Sequence, residues 1–429
     1  MTPYLQDTLY HRTTLPNGLR ILTAPMPDTR SVAVSIYVAA GSRYETPEEA
    51  GLSHLLEHLL FKGTERRPSA QLISEVIDGV GGVMNAGTDR ELTVYYAKVA
   101  RPHFELAADV LTDIVRHSLI AEEEVEKERR VVIEELASVA DSPSQLVDVL
   151  LDATMWPDQA LGRDVAGTEA SVNGLTRKAT IDFLGRQYVP NNLVIAVAGA
   201  IEHEEVVGFV DGELGDWERG VPVSWFPAVN GQDAARIAVQ YKRTEQAHIE
   251  VAVHGTSSLD ADRYPLDLLS VILGEGMSSR LFVELREKRA LCYDVHSYAS
   301  HYLDAGAFVV YAGVDPKKSV EAAKALVEEL MKLRDEGVTP EELHKAKELS
   351  KGRLLLRMED TRSVSGWIGG YEMLSGRIRT PEDVIEDIEA VTEDDMRRIA
   401  RQVLCASQMS MAIVGPFKSD RRFAPLLRF

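Results

Sequence analysis

Cysteine is almost absent from this chain, which has two cysteines, Cys292 and Cys405, among 429 residues. Two cysteines cannot provide the disulfide framework of small secreted folds, so a reducing compartment is the better expectation. No apolar run approaches the ~20 residues that a membrane-spanning helix needs. The first 15 residues also lack the charged and apolar regions of a signal peptide. We therefore expect a cytoplasmic protein that has no membrane partner.

Basic residues are also in short supply, with 47 Lys and Arg against 67 Asp and Glu and a net charge of −20. This charge would repel phosphates, which argues against nucleic acid as a partner. It is compatible with basic or neutral peptide substrates, although keeping the surface soluble is the simpler explanation. The 45% hydrophobic and 27% charged residues are typical of globular proteins, and the length allows two or more domains.

The segment from His54 to His58 places two histidines and a carboxylate on one patch of a helix. Residues three and four apart are neighbours on a helix surface, so His54 and His58 can bind one ion while Glu57 faces its open position. An apolar arc on about the opposite side of the helix indicates the buried face. That arc consists of Leu52, Leu55, Leu56, Leu59 and Leu60. The inverted H-x-x-E-H pattern is found in zinc peptidases, and two histidines on a solvated surface are the alternative.

A catalytic zinc site usually has three protein ligands, so a third ligand is expected from another element. Residues 122–139 form a Glu-rich segment with a strong helical pattern. Its apolar stripe is Val125, the stem of Arg129, Val132 and Leu136. Glu128 and Glu135 then lie two turns apart along one flank of this helix, whereas Glu134 faces solvent. Both flank residues are candidates.

Three pairs of similar segments recur in the same order about 216 residues apart, which predicts an internal duplication. Chance similarity between generic α/β units is the alternative. We expect an α+β fold with two duplicated domains, each a mostly antiparallel sheet with helices packed on one face. The predicted domains are residues 1–215 and 234–429, joined by a linker over 216–233 that contains two prolines. The matching helix of the second half, residues 264–273, has no histidine, so metal chemistry is expected only in the first half.

The chain resembles the inverzincin metallopeptidases, which include pitrilysin, insulin-degrading enzyme and mitochondrial processing peptidase. H-x-x-E-H is followed 77 residues after His58 by Glu135, which itself lies seven residues after Glu128. Residues 51–64, 81–96 and 273–293 also agree with the family pattern. The resemblance covers essentially the whole chain, and the length matches the processing-peptidase-like branch.

This resemblance implies roles for the residues of the first half. His54, His58 and Glu135 would bind Zn²⁺, and Glu57 would be the general base. Glu128 would orient the ligands from behind.

The resemblance also implies contacts with substrate. Asn85 and Ala86 correspond to an edge-strand segment that pairs with the peptide backbone. Arg286 and Tyr293, seven residues apart, correspond to a pair that the metal-free half contributes to the active site. Gly87 departs from the family, since relatives often have an aromatic residue there.

The expected function is therefore a zinc-dependent metalloendopeptidase acting on extended oligopeptides or on unfolded, presequence-like segments. The alternative is a non-catalytic or partner-dependent subunit of a processing-peptidase-like complex. Because one chain contains both the metal motif and the Arg286–Tyr293 pair, we expect a homodimer. Whether that pair acts in its own subunit or across the dimer is left open by the sequence.

Overall fold

Two β-sheets, each with its own helices, make up the protein, and the computed structural model describes residues 9–427. The strands are β1 (His11–Thr14), β2 (Arg20–Pro25), β3 (Ser31–Val38), β4 (Val83–Thr88), β5 (Thr93–Ala100), β6 (Leu193–Gly199), β7 (Arg236–Tyr241), β8 (Ala247–His254), β9 (Cys292–His301), β10 (Gly306–Val314) and β11 (Ser410–Gly415). The helices are α1 (Leu52–Leu60), α2 (Ala70–Asp78), α3 (Phe104–His117), α4 (Glu122–Asp141), α5 (Pro143–Met155), α6 (Glu169–Gly174), α7 (Arg177–Gln187), α8 (His203–Leu214), α9 (Arg263–Gly274), α10 (Ser319–Glu336), α11 (Pro340–Arg357), α12 (Thr361–Ser375), α13 (Pro381–Ala390) and α14 (Glu393–Val403).

Five strands of the first sheet, β2-β6-β3-β5-β4, have the same order as the five strands of the second, and the first sheet has β1 in addition. The first has the strand order β1-β2-β6-β3-β5-β4, and the second has the order β7-β11-β8-β10-β9. In the first sheet only β2 and β6 run parallel, and in the second only β7 and β11 do, among the strands described. Every other pairing is antiparallel within residues 9–427. The prediction of an α+β fold with two duplicated, mostly antiparallel domains is confirmed.

The first sheet is covered by helices α3 and α8 and, against β2, β3 and β6, by α12. Strand β6 is buried at all seven positions because both of its faces are covered. Gly369 of α12 allows a close approach, since a Cβ there would lie 2.3 Å from the ring of Tyr37. Apolar side chains of the sheet, including Leu22 and Val194, form a core with Ile368 of this helix.

The second sheet is covered in the same way, with α5 packed on β7, β8 and β11 and α9 packed on β9. Leu151 and Trp156 at the α5 side join Val309 and Val414 of the sheet in one buried cluster. Burial of these apolar groups is the main stabilising term for such a layer.

Contacts between residues divide the chain into two units that are not successive halves. The first unit comprises Met1–Glu134, Asp164–Phe226 and Leu355–Thr380, and the second comprises Glu135–Arg163, Pro227–Leu354 and Pro381–Phe429. Helix α5 therefore belongs to the second sheet, and α12 belongs to the first. The domain boundaries predicted from the sequence, at residues 1–215 and 234–429, stay a prediction.

None of the helices within residues 9–427 is long and apolar enough to cross a membrane.

Candidate metal centre

Helix α1 begins at a tightly fixed point. Gly51, just before the helix, has a φ of 92°, and a Cβ there would lie 2.5 Å from the carbonyl oxygen of Ala166. The buried carboxylate of Glu45 accepts hydrogen bonds from the backbone N–H of Gly51 at 2.9 Å and of Ser53 at 2.6 Å. These bonds satisfy donors that have no partner inside the helix, and a negative charge there also suits the helix dipole.

The two faces of α1 differ as the spacing predicted. All five leucines of the helix are buried, whereas His54, Glu57 and His58 are each partly exposed. The imidazole rings of His54 and His58 lie edge to face, with 4.7 Å between their centroids. The prediction that the histidines lie off the buried face is confirmed.

Glu135 on α4 completes a group of three. Ligand atoms of His54, His58 and Glu135 all lie within 4.8 Å of one another, and each residue is partly buried. Imidazole nitrogens and a carboxylate oxygen are a ligand set that zinc accepts, so the residues fit a zinc ion. The division into units falls between Glu134 and Glu135, inside a continuous helix. Glu134 is exposed, as its position on the helix predicted.

Glu128, one of the two candidates on the flank of α4, contacts a histidine. Its carboxylate is buried, with Oε2 3.1 Å from Nδ1 of His58 and Oε1 2.8 Å from Nζ of Lys62. A carboxylate on one ring nitrogen orients a histidine so that its other nitrogen, Nε2, faces a metal. Sequence reasoning missed Lys62, although its spacing of four residues from His58 was a usable signal.

Glu57 lies on the same partly exposed face. Burial raises the pKa of its carboxyl group, while hydrogen bonding from Thr88 and the proximity of His58 act in the opposite direction. The hydroxyl of Thr88 donates to Oε2 of Glu57 at 2.6 Å. Nothing in the motif pointed to Thr88, which is 31 residues away in the sequence.

Asn85 and Ala86 lie on β4, the last strand in the order of the first sheet. They pair with Tyr96 and Tyr95 of β5, so one edge of β4 is used within the sheet. The backbone N–H of Ala86 donates to Oδ1 of Asn85 at 2.8 Å. A strand at the end of a sheet can add an extended peptide by backbone hydrogen bonds.

Arg286 and Tyr293 are brought together in the second unit. Nη1 of Arg286 donates to the carbonyl oxygen of Tyr293 at 3.1 Å. The guanidinium carbon lies 4.7 Å from the ring centroids of both Tyr293 and Phe282. Tyr293 is 75% exposed, so its hydroxyl is not committed to a buried core. The role of this pair in the active site stays a prediction.

Comparison with known proteins points to one family. Residues 20–169 match the family described as insulinase (peptidase family M16), and residues 174–350 match the peptidase M16 inactive domain. An uncharacterized zinc protease of Streptomyces coelicolor is 41% identical over 416 residues, which are 96% of this chain and 90% of the relative. An uncharacterized zinc protease of Bacillus subtilis is 36% identical over 94% of this chain and 98% of its own length.

The same fold occurs in the crystal structure of a protease from Helicobacter pylori, with a TM-score of 0.90. That alignment covers 95% of this chain and 99% of the other, at 24% sequence identity.

Proposed function

The chain belongs to peptidase family M16, the insulinase family, and from this membership and the His54–His58–Glu135 group we propose that it is a zinc-dependent metalloendopeptidase. Extended oligopeptides and unfolded, presequence-like segments are the proposed substrates. The processing-peptidase-like branch within the family stays a prediction.

One observation carries the proposal. Three side chains of the types that bind zinc converge within 4.8 Å, and a carboxylate, Glu57, lies on the same helix face as two of them. The convergence joins residues from two helices that are far apart in sequence, which a chance pair of surface histidines would not produce. The buried Glu128 behind His58 adds the support that metal-binding histidines usually have.

The residues divide the work of hydrolysis between them. When bound, zinc polarises the scissile carbonyl and lowers the pKa of a water molecule to about 7. Glu57 accepts the proton of the attacking water and later delivers it to the leaving amine. Glu128 and Lys62 hold His58 in place through the two bonds described above.

The proposed substrate contacts use backbone and side-chain donors. The edge of β4 at Asn85 and Ala86 would pair with a peptide in extended form, which gives affinity without requiring a particular side chain. The hydroxyl of Tyr293 and the guanidinium of Arg286 would donate to the oxyanion that develops during attack.

We also propose a cytoplasmic homodimer. Cys292 and Cys405 are both free thiols, in keeping with a reducing compartment. Sedimentation measurements test the dimer directly. Mixing Glu57→Gln protein with Arg286→Ala protein then separates two arrangements. Activity returns in mixed dimers if Arg286 acts across the subunits, and stays absent if it acts within its own subunit.

Metal analysis and peptide digestion test the main proposal together. Purified protein should contain about one zinc per chain, because it has one complete ligand set. It should also cleave a mixed peptide library, and a chelator should stop cleavage. Absence of zinc after careful reconstitution would contradict the proposal.

Two matched variants assign the roles. Glu57→Gln should keep its zinc and lose cleavage, since the amide cannot accept the proton. Glu134→Gln, which alters an exposed neighbour of Glu135, should keep both. Zinc binding by the wild-type protein without cleavage of any peptide would favour the non-catalytic or partner-dependent subunit.

A further inference from the structure

The carboxylate of Glu57 is held by a residue that the motif does not contain. The hydroxyl of Thr88 donates to Oε2 of Glu57 at 2.6 Å, a short distance typical of a hydroxyl bonded to a charged acceptor. Both side chains are partly buried, so water competes only weakly for this bond. The backbone of Thr88 also interacts with this carboxylate, so one residue holds Glu57 through two groups.

The hydroxyl of Thr88 has two neighbouring oxygens but only one proton to donate. Its hydroxyl lies 3.2 Å from the hydroxyl of Thr93, and the Thr93 hydroxyl donates to the carbonyl oxygen of Ala40 at 3.1 Å. Each hydroxyl has a single proton. Since the carboxylate is both the closer and the stronger acceptor, the proton of Thr88 goes to Glu57. With both protons used in this way, the two hydroxyls share no hydrogen bond, and the fully buried Thr93 only packs against Thr88.

Thr88 stands on a rigid part of the first sheet. It pairs with Thr93 across the β4–β5 hairpin, at the last pair before the turn. Arg43 clamps that turn, because its backbone N–H donates to the carbonyl oxygen of Arg90 at 3.0 Å and its guanidinium bonds the carboxylate of Glu91 at 2.5 Å. Both members of the Arg43–Glu91 pair are buried. Such a pair holds its geometry because separating two buried charges is costly.

We propose that Thr88 is a positioning residue for Glu57, fixing the carboxylate in the rotamer in which it accepts a proton from the attacking water. The expected effect on turnover rests on the proposed function, whereas the position of the Glu57 carboxylate can be tested without it. Thr88 is also the last residue of β4, the strand that carries Asn85 and Ala86. The strand proposed to pair with the peptide therefore also holds the base.

The test compares three variants of the full-length protein. Thr88→Val keeps the shape and removes the hydroxyl, and Thr88→Ser keeps the hydroxyl. Thr112→Val removes a buried hydroxyl that donates to the carbonyl oxygen of Ala108 within α3. We expect Thr88→Val to lower kcat about 10- to 100-fold, the effect of one hydrogen bond to a charged group, with KM and zinc content nearly unchanged. Thr88→Ser should recover most of kcat, and Thr112→Val should leave it intact.

A crystal structure of Thr88→Val supplies a readout that does not depend on turnover. The Glu57 carboxylate should rotate or occupy several rotamers there, while it stays in one rotamer in wild-type protein and in Thr88→Ser. An unmoved carboxylate, or an equal loss of kcat in Thr88→Val and Thr88→Ser, would overturn the inference. If the wild-type protein cleaves no peptide, the proposed function fails on its own, and the carboxylate rotamers still decide the role of Thr88.

Discussion

The first and second units share the order of five strands, but the helices that follow their central strands β3 and β8 differ in which residues they expose. Of the nine residues of α1, six are buried, and the three that remain partly exposed are His54, Glu57 and His58. Of the twelve residues of α9, ten are buried, leaving Arg263 and Asp267 partly exposed. A duplicated fold can therefore keep its strand order while the partly exposed face of the corresponding helix differs between the two copies.

The largest expected effect follows from removing a histidine from α1. His58→Ala should lower zinc affinity by more than about 100-fold, since even residues behind a ligand contribute 10- to 100-fold. Competition with a chromogenic chelator measures this. Asp267→Ala, which removes an acidic side chain from the partly exposed side of α9, should leave zinc affinity unchanged. An effect of similar size in both variants would mean that the two helices do not differ in function.

Besides Glu135, which the division within α4 assigns to it, the second unit is expected to contribute Tyr293 to the chemistry. Tyr293→Phe should lower kcat about 100- to 1,000-fold, the usual loss for one oxyanion donor, with zinc content unchanged. Tyr241→Phe, at another exposed tyrosine of the second unit, is the control and should retain full activity. A value of kcat within twofold of wild type for Tyr293→Phe would remove this hydroxyl from the mechanism.

Changing the residues that hold the ligand His58 in place is expected to have a smaller effect on zinc affinity. Glu128→Gln should weaken zinc binding about 10- to 100-fold, because the carboxylate that bonds Nδ1 of His58 loses its charge. Lys62→Met should weaken it less, since Lys62 acts through Glu128. Glu124→Gln, one turn earlier on α4, is the matched control for charge. Equal losses in Glu124→Gln and Glu128→Gln would show that overall charge, and not contact with His58, sets the affinity.

The smallest expected effect is on the free energy of unfolding, and it concerns one buried carboxylate in each unit. In the first unit, buried Glu372 of α12 bonds the guanidinium of Arg12 at 2.8 Å and that of Arg20 at 3.4 Å. In the second unit, Glu250 of β8 is fully buried, and its Oε1 accepts a bond from the hydroxyl of Tyr298 at 3.4 Å. Burial, and then the neighbouring Asp148, raise the pKa of Glu250 well above its ordinary value.

A raised pKa means that the folded state binds a proton that the unfolded state has lost. Stability contributed by Glu250 should therefore fall as pH rises from about 4.5 through its folded pKa. Glu250→Gln should flatten this decline and raise the free energy of unfolding at pH 8 by about 1 kcal/mol. Glu372→Gln should lower it by about 1–3 kcal/mol, because two guanidinium groups lose their partner. Urea unfolding at several pH values measures both free energies of unfolding. A lower value than wild type at pH 8 in both variants would contradict the predicted difference between Glu250 and Glu372.

Much of the fold could be predicted because the relevant signals are local. The repeated segments indicated a duplication, and the structure confirms two sheets with matching strand order. The positions of α5 and α12 could not be predicted, since each leaves its own half of the sequence to pack on the other sheet. Their amphipathic patterns indicate a buried face but not the surface that buries it.

The sequence by itself determined the family and the phasing of α1, because residues three and four apart on a helix share a face whatever surrounds it. It also placed Glu128 and Glu135 on one flank of α4, two turns apart. Only the tertiary structure decided that Glu135 meets His54 and His58, that Lys62 completes the contact behind His58, and that Thr88 bonds Glu57. Those contacts depend on how strands and helices from distant parts of the chain pack, and that packing cannot be predicted from the periodicity of a single segment.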